Sequence, residues 1–152
     1  MSRINSSMYS SDKMDWETPQ ELFDKLNDEF HFALDAAADQ NNFKVFPFLT
    51  VNDDSLNCDW LNPTWCNPPY GRNIDRWVRK GYEESLRGVT SVFLLFARTD
   101  TKWFHDYVYG KAEIRFLRGR VRFVGADNPA PFPSMIVIYR GVDMRNENDQ
   151  AV

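Results

Sequence analysis

The chain has 152 residues, 43% of them hydrophobic, with 12 Phe, 6 Tyr and 5 Trp, enough for one sizeable core and hardly two. It has no apolar run near the ~18 residues of a membrane span, and its polar amino terminus is unlike a secretion signal, so neither membrane insertion nor export is expected. The net charge of −4 is segregated: residues 1–66 carry 4 Lys+Arg against 12 Asp+Glu, residues 67–125 carry 12 against 6, and residues 126–152 carry 2 against 4.

Residues 1–14, aperiodic and rich in Ser, Asn and Asp, are expected to form a flexible arm, residues 15–140 one folded domain and residues 141–152 a polar tail. Thr18, Pro19 and Glu21 read as N-cap, first helical residue and capping-box partner of a helix whose apolar face is Leu22, Phe23, Leu26 and Phe30. Phe32-Ala33-Leu34-Asp35 then predicts a short buried strand ending in a carboxylate, followed by Ala36-Ala37-Ala38, small enough for a ligand to approach closely. An acidic turn, Asp53-Asp54-Ser55-Leu56, precedes a second short strand, Thr64-Trp65-Cys66. Two cysteines are too few for a disulfide framework, and two His lack the spacing of a zinc site, so no metal is expected.

Asn67-Pro68-Pro69-Tyr70 follows that strand directly. An exocyclic amino group on a purine or pyrimidine shares its lone pair with the ring, and two acceptors can draw it toward tetrahedral geometry. The Asn67 side-chain carbonyl and the Pro68 backbone carbonyl are such acceptors, and their dipoles stabilise the positive charge that grows on nitrogen during alkylation. Pro68 forces Asn67 into an extended conformation, and both proline rings fix φ and remove competing N–H donors. Tyr70 offers a flat face on which a base can stack. The tetrapeptide therefore points to methylation of an aromatic amine or an amide nitrogen.

From Ile74 the apolar residues recur at helical spacing until Gly88, and strand, stiff loop, helix is where open α/β sheets place ligands. Ser91–Ala97 is a continuous apolar run and hence a central strand, ending in Arg98-Thr99-Asp100. A short helix over Thr101–Tyr109, strands over Glu113–Leu117 and Val121–Val124, a proline-rich loop and a last strand over Ser134–Tyr139 complete the pattern. Alternating strands and helices predict a three-layer α/β domain with a mostly parallel sheet, the antiparallel exceptions at its edge. The basic segment beginning at the motif, with Arg72, Arg76 and Arg79, is what a phosphate-contacting surface requires.

Methyl transfer needs an electrophile, and S-adenosylmethionine is the usual one. Asp35 suits ribose hydroxyls or the methionine amine, Asp54 with Ser55 the adenosine part, and the helix start at Thr18-Pro19 a carboxylate.

The set Asp15-Trp16-Glu17-Thr18-Pro19, Leu34-Asp35-Ala36-Ala37, Asp54-Ser55-Leu56, Trp65 to Gly71 and Ala97 to Phe104 closely resembles the phage-type DNA N-6-adenine methyltransferase family, from about Asp15 to Tyr139. The resemblance implies a Rossmann-like class I methyltransferase fold that uses S-adenosylmethionine. It makes Trp16, Thr18, Pro19, Asp35 and Ala36 cofactor contacts and Asn67, Pro68, Pro69 and Tyr70 the catalytic loop. It sets Arg98, Thr99, Asp100 and the Gly119-Arg120 pair on the DNA side, with a flipped or single-stranded adenine as target. The expected location is cytoplasmic, a bacterial host's cytoplasm for a phage-encoded chain, in either restriction protection or gene control. Ala36-Ala37-Ala38 replaces the glycine-rich loop common in methyltransferases. The tetrapeptide equally suits cytosine, RNA or a glutamine amide, and a methyltransferase-like module that masks DNA without turnover is the non-catalytic alternative.

Overall fold

The computed structural model describes residues 16–143. The arm over residues 1–14 and nearly all of the 141–152 tail lie outside the described residues. Five strands form one sheet in the order β1-β2-β3-β5-β4: β1 Leu34–Asp35, β2 Thr64–Cys66, β3 Ser91–Phe96, β4 Glu113–Phe116 and β5 Ser134–Tyr139. The pairs β1·β2 and β2·β3 are parallel, whereas β3·β5 and β4·β5 are antiparallel. The expectation of a mostly parallel sheet is thus corrected to a mixed one, because β5 inserts between β3 and β4 instead of adding at an edge. β3 and β5 are buried along their whole lengths and pair from Ser91↔Tyr139 to Phe96↔Ser134, which makes them the spine of the sheet.

Alternation along these strands sends side chains to two apolar clusters. On one face Cys66, Phe93, Leu95, Val137 and Tyr139 pack with Ile74 and Val78 of helix α2, Ile74–Leu86. On the other, Trp65, Val92, Leu94, Phe96 and Ile138 pack with Phe23 and Leu26 of helix α1, Gln20–Phe30. Period-2 strands between period-3.6 helices bury both faces, as the apolar run in β3 requires.

Local signals diverged in four places. Pro19, not Thr18, holds the N-cap position of α1, and no side chain caps it, so the Thr18/Glu21 capping box does not form. The Thr18 hydroxyl serves a tertiary contact instead. The helix expected over Thr101–Tyr109 is largely a π-helical turn, Phe104–Val108, wider than an α-helical one and closed by Tyr109 N–H donating to the Phe104 carbonyl at 2.8 Å. Val121–Val124 is no strand: β4 takes β5 as partner, and Val124 N–H donates to the Glu17 carbonyl at 3.0 Å, laying the segment over the amino-terminal residues. The short strand over Phe32–Asp35 is reduced to Leu34–Asp35.

Gly81 sits where α2 crosses β3, and a Cβ there would stand 2.4 Å from Phe93 Cε1 and 3.0 Å from Tyr139 Cδ2. Alanine in a helix normally gains about 0.5–1 kcal/mol over glycine. Overpacking here costs about 1–3 kcal/mol and overrides that gain. Gly81→Ala is therefore expected to lower the melting temperature by several degrees in a thermal scan, where an open helical site would show a rise.

Candidate active site

β1, β2 and β3 run parallel, so their carboxyl ends, at Asp35, Cys66 and Phe96, lie along one edge of the sheet. A cavity of about 570 Å³ opens there, within the range of small-molecule sites. Its wall brings together Trp16, Thr18, Asp35, Ala36, Asp54 and Ser55 with Asn67 and Pro69 of the tetrapeptide. Pro19, Pro68 and Tyr70 stand outside the lining. Residues as far apart in sequence as Trp16 and Pro69 thus meet at the ends of the short strands β1 and β2.

The orientation of Asn67 is chemically forced. Its Nδ2 donates to the Trp16 carbonyl and, at 3.0 Å, to the Thr18 hydroxyl. A backbone carbonyl only accepts, so the amide nitrogen must face it, and Oδ1 points the other way. Among the described residues no donor meets Oδ1. An acceptor is therefore held, unengaged, at the cavity wall by two hydrogen bonds worth roughly 1 kcal/mol each.

Tyr70 is anchored as firmly. Its hydroxyl accepts from the Phe96 N–H at the end of β3, and its ring lies 4.4 Å from that of Phe96, tilted by 36°. Burial pushes the phenol's pKa upward against the opposing effect of that N–H, so it stays protonated. Cys66, beside Asn67, is fully buried; burial and then Asp35 raise its thiol, so it offers no thiolate.

Asp35 is 2% exposed and ends β1. Its Oδ1 accepts from Ala37 N–H at 3.2 Å and its Oδ2 from Lys44 N–H at 2.9 Å. Burial raises its pKa to about 6, in spite of these two bonds. Ala36 N–H donates to the Trp65 carbonyl at 2.9 Å, and the three alanines form a smooth wall segment in the place of a glycine loop. Ser55 is buried, with its hydroxyl accepting from Trp60 Nε1 at 3.1 Å, and Asp54 accepts from Asn57 Nδ2 at 2.7 Å. Glu17, Asp35, Asp39 and Asp54 make the wall acidic. Lys44 is its only cation, held at 3.6 Å by Glu17 and 3.0 Å by Gln20.

Sequence reasoning missed the Asp39 to Val51 side of the wall, which contributes Asn42, Lys44, Leu49 and Thr50. One signal was available: Lys44 is the lone Lys or Arg between Lys25 and Arg72. The proposed DNA-side residues lie off the cavity. Arg72 and Arg76 are exposed and, among the described residues, unpaired, and Arg79 is held by Glu83 at 3.1 Å. Arg98 lies over the Phe132 ring at 4.4 Å, the Thr99 carbonyl meets His105 Nε2 at 2.8 Å, Asp100 is exposed, and Arg120 bonds to the Ala130 and Pro131 carbonyls.

A ligand-sized cavity at the carboxyl ends of the parallel strands, with the Asn-Pro-Pro-Tyr loop at its rim, lies where open α/β sheets bind small molecules. Over residues 5–147 the chain matches the DNA N-6-adenine-methyltransferase (Dam) family, and it belongs to that family. No curated protein matches it.

Tyr70→Phe keeps the ring and removes the acceptor of a buried backbone N–H. It is expected to cost about 1–3 kcal/mol in denaturant unfolding, an orphaned-donor penalty. A variant as stable as wild type would mean that the Phe96 N–H finds another partner.

Proposed function

We propose that this chain transfers a methyl group from S-adenosylmethionine to the exocyclic N-6 amine of adenine in DNA, using an abbreviated Rossmann-like fold. The observation that carries the reading is the Asn67 carboxamide, whose nitrogen is spent on Trp16 and Thr18 while its oxygen is left to accept at the cavity wall.

The cavity fits the donor in volume and in charge. S-adenosylmethionine bears a sulfonium and an ammonium, and the wall carries four carboxylates against one paired lysine. Asp35, Asp54 and Ser55 with the Ala36 wall and Trp16 would hold it, and the free N–H groups where α1 begins after Thr18-Pro19 suit its carboxylate. When bound, it supplies a methyl carbon made electrophilic by the adjacent sulfonium.

The chain's own part is to hold the amine. Asn67 Oδ1 and the Pro68 carbonyl each accept one N–H of the adenine amine, drawing its lone pair out of conjugation. As positive charge grows on nitrogen, these fixed dipoles stabilise it without reorganising. No residue has to remove a proton first. Tyr70, fixed through Phe96, stacks the flipped base, and strand ends, mismatches and single strands react more readily because extrusion costs a few kcal/mol. Arg72, Arg76 and Arg98, none of them paired with a carboxylate, with Thr99, Asp100 and Arg120, face the nucleic acid. The site of action is the cytoplasm.

Asn67→Ala is expected to reduce methyl transfer to adenine-containing DNA below detection, scored with methylation-sensitive nucleases, while calorimetry shows nearly unchanged S-adenosylmethionine affinity. Wild-type turnover in that variant would remove Asn67 from the mechanism. Equal or greater transfer to cytosine, RNA or glutamine amides would move the substrate class, and donor binding without transfer to any of them would favour the masking module.

Asp35 titrates within a testable window. Its folded pKa, about 6, lies above the ordinary 3.8, so the stability it contributes is full below 3.8 and lost as pH rises through about 6. The loss is on the order of 3 kcal/mol. Over the same rise the carboxylate ionises and donor affinity increases. Melting temperature and donor affinity measured from pH 4 to 7 should move in opposite directions, and both trends should flatten in Asp35→Asn.

A further inference from the structure

The basic segment divides into cations already neutralised and cations that are not. Arg79 pairs with Glu83, Lys80 and Arg87 with Glu84, Lys102 with Asp106, and Arg115 with Glu29 and Glu113. Among the described residues Arg72, Arg76, Arg98, Lys111, Arg118, Arg120 and Arg122 have no carboxylate partner, and the last three share one loop. Arg120 Nη1 donates to the Ala130 and Pro131 carbonyls at 3.2 and 2.8 Å, and Arg122 Nη1 to the Asp127 carbonyl at 3.3 Å. Among the described residues Arg118 has no partner at all.

Within the Leu117–Pro133 segment, Val121 to Val124 keeps a strand's alternation without a strand partner. Leu117, Val121 and Phe123 face the core, while Arg118, Arg120 and Arg122 are exposed. The chain bends at Arg118 and Gly119, where Gly119 takes φ 74°, and the three guanidiniums on either side of that bend make one exposed row along the loop. That row is fastened beside the reactive loop. Phe123 is 4% exposed and packs 5.3 Å from Trp16 and 6.1 Å from Phe96, the ring that carries Tyr70. Val124 N–H holds the Glu17 carbonyl, and Phe132 lies 5.5 Å from Phe96. Trp16 is a wall of the donor cavity and gives its carbonyl to Asn67.

We propose that the Leu117–Pro133 segment is the DNA-backbone clamp of this protein, its Arg118, Arg120 and Arg122 row taking phosphates beside the target adenine while Phe123 seats it on Trp16 and Phe96. The proposal rests on the DNA-methyltransferase reading above and adds Arg118 and Arg122 to the cations that serve it. The row departs from the sequence-based surface on α2, where the Arg79 charge is already met by Glu83.

Each phosphate contact to duplex DNA contributes about 0.9 to the slope of log affinity against log salt. Binding of a fluorescent, adenine-containing duplex is followed by anisotropy over a salt series for wild type, R118Q/R120Q/R122Q and Arg79→Gln. The triple variant should lose about 2–3 from the magnitude of the slope and Arg79→Gln about none, with S-adenosylmethionine affinity by calorimetry unchanged in both. Because Arg120 and Arg122 also brace the loop, Arg118→Gln, which breaks no contact, serves should the triple variant fail to fold, with a loss of about 1. A wild-type slope in the triple variant and in Arg118→Gln, or a loss in Arg79→Gln equal to that of the triple, overturns the clamp. If wild type methylates DNA while the slopes are unmoved, the clamp alone fails. If wild type neither binds nor methylates DNA, the functional reading fails with it.

Discussion

The hydrogen bonds that tie the Asn67 side chain to the Trp16 carbonyl and the Thr18 hydroxyl are the constraint on which the site depends. A carboxamide has a donating and an accepting end, and fixing the first fixes the second. The tie spans 51 and 49 residues, so it exists only if β2 and the approach to α1 meet at the same edge. β2 supplies its half by being buried at all three positions, with Trp65 packed edge-on against Phe23 of α1 at 5.4 Å. The core therefore does more than hold the chain together; it sets the distance between two loops on which an oxygen's direction depends.

A second anchor works through aromatic rings. Tyr70 rests on Phe96, Phe96 meets Phe123 and Phe132, and Phe123 meets Trp16, which returns to Asn67 through its carbonyl. Contacts of this kind contribute roughly 0.5–1.5 kcal/mol each beyond burial. They also make a closed circuit. The wall of the cavity, the reactive loop and the arginine-bearing segment share rings, so none can shift without disturbing the other two.

Much of this was legible in the sequence, for local reasons. The apolar run at Ser91–Phe96 could only be a doubly buried strand, and Ser134–Tyr139 matched its bounds. Helix α2 followed from spacing, and the short strands before Asp35 and Asn67 from apolar residues ending in polar ones. What failed was tertiary. Thr18 has the chemistry of a cap, but Asn67 outbids the helix for its hydroxyl, and no local pattern announces a partner 49 residues away. Val121–Val124 alternates as a strand should, yet β5 already has β3 and β4 as neighbours, so the segment spends its apolar face on Trp16 instead. Pairing capacity belongs to the whole sheet and is invisible in four residues. The Asp39–Val51 wall lacked periodicity altogether and is held by backbone bonds to β1, such as Leu49 N–H to the Asp35 carbonyl at 2.9 Å.

The unequal charge of the chain follows from needing two ligands of opposite sign side by side. The first 66 residues, with 12 carboxylates against 4 cations, build most of the cavity wall, which suits a cationic donor and repels phosphate. The residues from Asn67 onward carry the opposite excess, and their uncompensated guanidiniums gather at the edge where β3 and β4 end. In physiological salt the field of an exposed charge decays over a length of about 8 Å, so each patch of surface is governed by its nearest charges. Over the span of one cavity and its rim the two fields therefore act separately. A phosphate is turned away from the donor's seat and drawn to its border, and Asn67 stands at that border. On this division the net charge of −4 is no argument against a polyanionic substrate, because binding responds to the local surface and not to the sum.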